Sequence, residues 1–333
     1  MIVHLGDIAG TSRSLVQLAR NDGLDWVLRD VPVGRGRSGL RILSDRTSDL
    51  TTVLRIRGRL DLLHINYGVS GYYGWGATVP VVLHLHGTDV RQDLTSRWLG
   101  PVVRRSIRTA DAVLVATRDI LPTVAQLRPD AQWFPSPLPI GAFEVLPDRS
   151  SISDAAGPRP TTVFFASRWD PAKGSGDLLA AAGELVARHP DWDIVGLDWG
   201  QGVAQAQRAG VRLLPFLTAP ELREALDRAD VVVGQVRLGE LGLTDLEAML
   251  RRRPLIARYT AGDLDGLPIP LWNTIDATIV EHAEAIVAAG PDDAVVLART
   301  DLARDWVRRH HHPLDLFARL KQIYAGLGVD VLN

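Results

Sequence analysis

"TTVFFASRWDPAKGSGDLL", Thr161 to Leu179, passes from a run of β-branched and aromatic residues through a glycine-bearing loop into an amphipathic stretch. That change of period, strand then helix, is the repeating unit of a parallel α/β sheet. The loop carries Lys173, one of two lysines (the other is Lys321) among 37 basic residues. Ser167 and Arg168 close the strand, and Lys173 with Gly174 opens the helix. An arginine fork binds phosphate oxygens bidentately, a lysine adds a point charge, and the N–H groups of a helix start favour anions. Gly174 and Gly176 permit close backbone approach. The arrangement suits a diphosphate; Arg168 taken alone reads equally as part of a basic surface loop.

The same unit recurs on both sides. Strands are predicted at "IVHL", "DWVL", "DLLHIN", "VPVVLHLH", "DAVLVA" and "QWFPS", with helices over Ser12–Arg20, Ser48–Arg57, Trp98–Thr109 and Ile120–Leu127. A stretch rich in proline, serine and aspartate follows, and then come "TTVFFAS", "WDIVGLD", "VRLLPF", "ADVVVGQ" and "RPLIAR", each with a helical segment behind it. A chain of 333 residues is long enough for two cores. The expected fold is α/β, with two Rossmann-like doubly wound parallel sheets facing a cleft. The first domain spans 1–145, a linker 146–160 and the second domain 161–310. A helix at 311–333, after the break at Pro313, is expected to pack back toward the first.

Formal charge is −2 with both signs interspersed, so no footprint for a polyanion stands out. There is no cysteine, which removes disulfides, thiolate nucleophiles and cysteine-ligated metals. No apolar run approaches the roughly twenty residues of a membrane span, and the expectation is a cytoplasmic protein without an integral membrane segment. The basic stretch "RWLGPVVRRSIR", Arg97 to Arg108, offers peripheral contact with anionic lipid, although its spacing fits an ordinary solvated helix face better.

In open parallel sheets ligands bind at the carboxyl ends of strands, so the strand-end loops carry the candidates. "GELGLTDLEAM", Gly239 to Met249, turns tightly at Gly239 and Gly242, leaving the N–H groups of Leu241, Gly242 and Leu243 for a sugar or phosphate. Glu247, one turn into the next helix, is a candidate for ribose hydroxyls or a partner of the helix dipole. "VVLHLHGTDVR" ends a strand at His86, a candidate for sugar binding; His84 points the same way by period two, so one of the two reads equally as a packed core histidine. The loop "GDIAGTSRSL", with Gly6 and Gly10 before a helix capped by Thr11 or Ser12, resembles a phosphate-approach loop but lacks the dinucleotide G-x-G-x-x-G pattern. "NYGVSGYYGWG" offers Tyr67, Tyr72, Tyr73 and Trp75 for stacking on a sugar, with loop packing as the plainer reading. His310 to His312 are consecutive, do not share a helix face, and read as a solvated helix end, so no metal site is expected.

Taken in order, the glycine loop after the first strand, "HLHGTD", "ADAVLVAT", "SRWDPAKG", "LLPFLTAPELREALDRADVVV", "GLTDLEAM" and "RPLIA" resemble the GT-B glycosyltransferases, specifically retaining family 4. The resemblance covers most of the chain. It implies that Arg168 and Lys173 grip the nucleotide diphosphate and that Glu247 contacts the ribose. His86 would sit beside the donor sugar, with Arg168 and Lys173 in the catalytic set. Gly6, Ser167, Glu240, Leu241, Gly242 and Leu243 would line the donor, and Phe216 would lie where the backbone holds the nucleobase. Asp7, Tyr67, Tyr73 and Asp89 would face the acceptor. Two departures stand out: Ser167 replaces the usual glycine, and the first glutamate of the family's pair falls on Gly239, with Glu240 displaced by one.

The implied reaction moves a hexose or pentose from a nucleotide-diphosphate sugar to an acceptor hydroxyl with retention, without metal or other cofactor. The acceptor is left open among lipid-linked sugar, polysaccharide, natural product, protein and modified nucleobase. A GT-B nucleotide-sugar epimerase, and a nucleotide-sugar-binding subunit without catalysis, share the phosphate grip and stand as alternatives.

Overall fold

The computed structural model describes residues 1–8, 10–31, 57–144, 146, 159–263 and 268–330. The helix expected at Ser48–Arg57 and nearly all of the expected linker lie outside the described residues. The chain divides into two compact units, Met1–Ile140 with His311–Asn333, and Gly141–His310.

In the first unit β1 (Ile2–Leu5), β2 (Trp26–Arg29), β3 (Leu62–Asn66), β4 (Val81–Leu85), β5 (Ala112–Val115) and β6 (Gln132–Trp133) form a parallel sheet ordered β2-β1-β3-β4-β5-β6. In the second, β7 (Thr162–Phe165), β8 (Asp193–Leu197), β9 (Arg212–Leu214), β10 (Val231–Val233), β11 (Leu255–Ala257) and β12 (Trp272–Asn273) are ordered β12-β11-β10-β7-β8-β9, again all parallel. Both orders reverse beside the first strand of the sheet, the topological switch at which strand-end loops part. β12 is an addition to the sequence expectation: two residues are too few to show a period.

The longer helices are α1 (Thr11–Asn21), α2 (Gly100–Thr109), α3 (Ser175–Arg188), α4 (Ala219–Arg228), α5 (Leu243–Leu250), α6 (Ile279–Ala289), α7 (Ala294–His311) and α8 (Pro313–Gly326). Pro313 at the first position of α8 both ends α7 and starts the next helix, since a proline there loses no helical hydrogen bond. α8 belongs to the first unit. Leu316, Phe317, Leu320 and Tyr324 pack with Ile2, Leu15, Trp26, Val82 and Phe134 in one core on a face of the first sheet. Each such side chain taken from water contributes about 1.5–3 kcal/mol.

Beneath α8 runs a polar seam. His4, His64 and His84 sit fully buried on β1, β3 and β4, and His4 and His64 stack with ring centroids 4.5 Å apart. The Tyr324 hydroxyl lies 2.6 Å from His64 Nδ1 and 3.2 Å from His4 Nε2, while His84 Nε2 lies 3.0 Å from the Phe134 carbonyl. Burial pushes His4 down to about 3 and His84 to about 4, and it holds His64 well below the usual range. The rings are therefore neutral at pH 7.

Two outcomes follow from this seam. Tyr324→Phe strips the buried imidazoles of their shared hydroxyl and should cost about 1–3 kcal/mol in denaturant unfolding of the first unit. The unfolded chain takes up protons on these histidines below about pH 6.5, whereas the fold resists until near pH 4, so stability is lost as pH falls through that window. Thermal midpoints for the first unit should be lower at pH 5 than at pH 7; equal midpoints would show that the imidazoles protonate without cost in the fold.

Candidate active site

The second sheet's switch point lies between β7 and β10, and the loops leaving these two strands are tied together. The Val236 N–H donates to the Lys173 carbonyl at 3.1 Å. Gly174 makes the approach feasible: its φ is +87°, and a Cβ there would stand 2.7 Å from Val236 Cγ2.

In the loop after β7, Ser167 is buried and Trp169 is wholly enclosed, its indole N–H donating to the Leu197 carbonyl at 2.8 Å. Trp169 thus anchors the loop while the residues on either side of it turn outward. Arg168 has its guanidinium carbon 5.1 Å from the centroid of Trp199 and Nη1 3.2 Å from Asp170 Oδ2; its side chain remains 38% exposed. Asp170 Oδ1 accepts the Gln201 N–H at 3.0 Å, which fixes the carboxylate that orients Arg168. Pro171–Lys173 form one tight turn, and α3 begins two residues on, at Ser175.

The loop after β10 is organised by a residue that sequence reasoning passed over. Gln235 is 1% exposed; its carbonyl oxygen accepts the N–H groups of Arg237 (3.0 Å) and Leu238 (2.7 Å). Its amide donates to the carbonyls of Glu240 and Arg258. Gly239 has φ +73° and its carbonyl accepts the Thr260 N–H at 3.0 Å. A Cβ at Gly239 would fall 2.1 Å from Thr260 Oγ1, so no side chain, glutamate included, fits that position without rearrangement.

Asp245 was missed as well. It is buried, accepts the Gly242 N–H at 2.7 Å and lies within electrostatic reach of Lys173; burial pushes its carboxyl up to about 6. Gly242 is corrected accordingly: its N–H, expected to be open to a ligand, is engaged by Asp245 at the start of α5. Leu241 and Leu243 flank it, half-buried, as does Glu240. Glu247 Oε2 accepts from Arg223 Nε at 3.0 Å, so its observed partner is a side chain of α4, not the helix start. Phe216, past the end of β9, is 84% exposed.

In the first unit, Gly6 (φ +80°) donates its N–H to the Arg29 carbonyl at 2.8 Å, and a Cβ there would lie 3.1 Å from the Asn66 carbonyl. Asp7, not Thr11 or Ser12, caps α1: its Oδ1 accepts the N–H groups of Ser12 and Arg13 at 3.1 and 3.2 Å. The hydroxyls of Thr11 and Ser12 are buried without a hydrogen bond. His86 Nε2 lies 3.1 Å from Asn66 Oδ1, and burial beside His84 holds the ring well below the usual range, hence neutral.

Asp89 and Tyr73 are corrections among the acceptor candidates. Asp89 is fully buried and accepts N–H groups from Gly68, His86, Gly87 and Val90, bonds that shape the turn after β4. Tyr73 is 3% exposed in the core, which leaves no ring face for a sugar. Tyr67, with φ +105°, donates its hydroxyl to Asp93 at 2.6 Å. The three consecutive histidines take separate partners, His310 against Trp306, His311 with the Ser136 carbonyl and His312 with Nδ1 3.7 Å from Asp315 Oδ2, and no metal-binding cluster occurs among the described residues.

Residues 8–134 match the family described as Glycosyl transferase 4-like domain, and residues 159–292 that described as Glycosyl transferases group 1. A D-inositol 3-phosphate glycosyltransferase of Saccharomonospora viridis is 27% identical over 322 residues, covering 82% of this chain and 73% of that relative. Another, from Rhodococcus erythropolis, is 25% identical over 280 residues, covering 74% of this chain and 62% of its own. Among solved structures, Anabaena HepE in complex with UDP aligns with TM-score 0.70 at 16% identity, covering 98% of this chain and 99% of that one. Sucrose-phosphate synthase from Thermosynechococcus elongatus aligns with TM-score 0.75 at 15% identity, with the same coverage. At these identities the structural likeness is one of fold.

The geometry at Gly239 has a direct test. Gly239→Ala places a Cβ in a left-handed conformation against Thr260, and should cost about 1–3 kcal/mol in unfolding of the second unit. Gly239→Ala with Thr260→Gly should recover the steric part of that loss; no recovery would remove Thr260 as the constraint.

Proposed function

The chain belongs to the glycosyltransferases built from a glycosyl transferase 4-like domain followed by a group 1 domain, and on that footing we propose that it moves a sugar from a nucleoside-diphosphate donor to an acceptor hydroxyl with retention of configuration. The observation that carries this reading is the pairing of the β7 and β10 loops, which puts Arg168, Lys173 and the start of α3 at one switch point. A fork, a point charge and helix N–H groups together match a leaving diphosphate, whose charge grows as the glycosidic bond breaks. UDP and UDP-glucose complexes of a protein with the same fold support a nucleotide-sugar donor.

In this proposal the leaving diphosphate is stabilised by Arg168 and Lys173, and the acceptor hydroxyl attacks the face from which the diphosphate departs. Arg168 arrives pre-oriented by Trp199 and Asp170, so little ordering is left to be done on binding. Glu247 takes ribose hydroxyls, and the backbone at Phe216 holds the nucleobase. The scheme has no protein nucleophile and calls for no metal.

A second reading, a donor-binding subunit without turnover, is favoured by one observation: Gly239 and Thr260 fill the place where the resemblance expects a carboxylate. The two readings part in one experiment. Purified protein is assayed for binding and for hydrolysis or transfer across uridine, guanosine, adenosine and thymidine diphosphate sugars. Turnover of one donor, reduced on the order of 10² in Lys173→Ala, is the expected result. Binding without turnover of any donor selects the subunit, and no binding at all removes the diphosphate grip.

A further inference from the structure

α4 and α5 are joined by two ion pairs one turn apart. Arg223 Nε donates to Glu247 Oε2 at 3.0 Å, and four residues further along each helix Arg251 Nε donates to Asp227 Oδ1 at 2.5 Å. The polarity alternates: arginine on α4 faces glutamate on α5, then aspartate on α4 faces Arg251, the residue that caps the end of α5. Steps of four residues keep each pair on one face of each helix, so the second pair fixes the register that the first requires. The two pairs differ in position. Arg251 and Asp227 stand toward the far ends of the helices, whereas Glu247 sits one turn from the start of α5, next to the loop that the Gln235 side chain holds.

Glu247 is almost enclosed, with 10% of its side chain exposed, and Arg223 is little more open at 16%. A carboxylate at such depth is costly unless it is paired. The guanidinium takes Oε2 and leaves Oε1, with lone pairs on both oxygens, for hydroxyl donors. Beyond the pairing, Thr218 and Glu221 close a capping box at the start of α4, the Thr218 N–H donating to Glu221 Oε2 at 2.7 Å. Arg223 is therefore presented from a helix whose start and register are both fixed. On its other side a Cβ built on Gly141 would lie 3.6 Å from its Nη1.

We infer that Arg223 is a positioning residue for the nucleotide: by holding the Glu247 carboxylate in one orientation it sets the preference for a ribose over a deoxyribose diphosphate. This rests on the reading of Glu247 as the ribose contact. Arg223 itself touches no substrate in this scheme. It acts through Glu247, and its effect is confined to ligands that carry the 2′-hydroxyl.

The test is a ratio of affinities. Binding of UDP, GDP and ADP, and of the 2′-deoxy form of each, is measured by calorimetry for wild type, Glu247→Gln, Arg223→Ala, Arg223→Lys and the control Asp227→Asn. For the base that binds best, wild type should favour the ribo form by at least about tenfold, the size expected for hydrogen bonds to a charged group. Glu247→Gln and Arg223→Ala should each bring the ratio close to one, and Arg223→Lys should recover only part of it, since an ammonium lacks the fork. Asp227→Asn should lower the thermal midpoint and leave the ratio alone, which separates general loosening of α4 from positioning. If Glu247→Gln collapses the ratio and Arg223→Ala does not, the inference fails while the ribose reading stands. If wild type and Glu247→Gln show the same ratio, or no diphosphate binds, the reading of Glu247 fails and the inference with it.

Discussion

A single backbone hydrogen bond, Val236 N–H to the carbonyl of Lys173, ties together the two loops that carry the second unit's candidate residues. β7 and β10 are neighbours in the sheet, and each sends its loop over the same carboxyl edge. Without the bond these would be two separate loops; with it, the cations of one and the glycine turn of the other share one surface. Gly174 has to lack a side chain for that contact to form, because Val236 already occupies the space. Across this crossing Lys173 and Asp245 come within electrostatic reach of each other.

The two loops are stiffened in different ways. The β7 loop hangs on Trp169, a large enclosed side chain, and the β10 loop on Gln235, which satisfies four backbone groups from one amide. The first mechanism is apolar and the second polar. Both convert a segment without secondary structure into a fixed platform, as a binding loop requires if little ordering is to remain for the ligand. Asp245 completes the second platform by engaging an N–H that would otherwise point toward a ligand.

Much of the architecture was legible in the sequence because parallel strands are buried on both faces and read as continuous apolar runs. The runs at Ile2–Leu5, Leu62–Asn66, Val81–Leu85 and Thr162–Phe165 emerge as strands, and so does the helix break at Pro313. β12 escaped because Trp272–Asn273 has no length over which to alternate. Within the site, residue type and spacing marked Arg168, Lys173 and Glu247. They did not mark Gln235, Asp245 or Arg223, whose work is done on partners set by the fold: Arg223 meets Glu247 across 24 positions. The same limit explains Asp89 and Tyr73. A carboxylate and an aromatic on a strand-end loop look alike in sequence whether they face solvent or hold the turn together. Asp7 escaped because it lies three residues before the N-cap, Gly10, outside the position where a capping aspartate is read.

The place of α8 in the first unit has a consequence for how the molecule is made. Its Tyr324 meets His64 across 260 positions, with the entire second unit encoded between them. On the ribosome the first sheet emerges early, yet the helix that covers Trp26, Val82 and Phe134 emerges only after the whole second unit. Synthesis is vectorial and units fold as they appear, so the first half must wait with an apolar face and three imidazoles uncovered until α8 has been made. The second unit has no such debt and can complete its core first. The core of the unit that begins the chain is thus closed only by a segment encoded after the other unit.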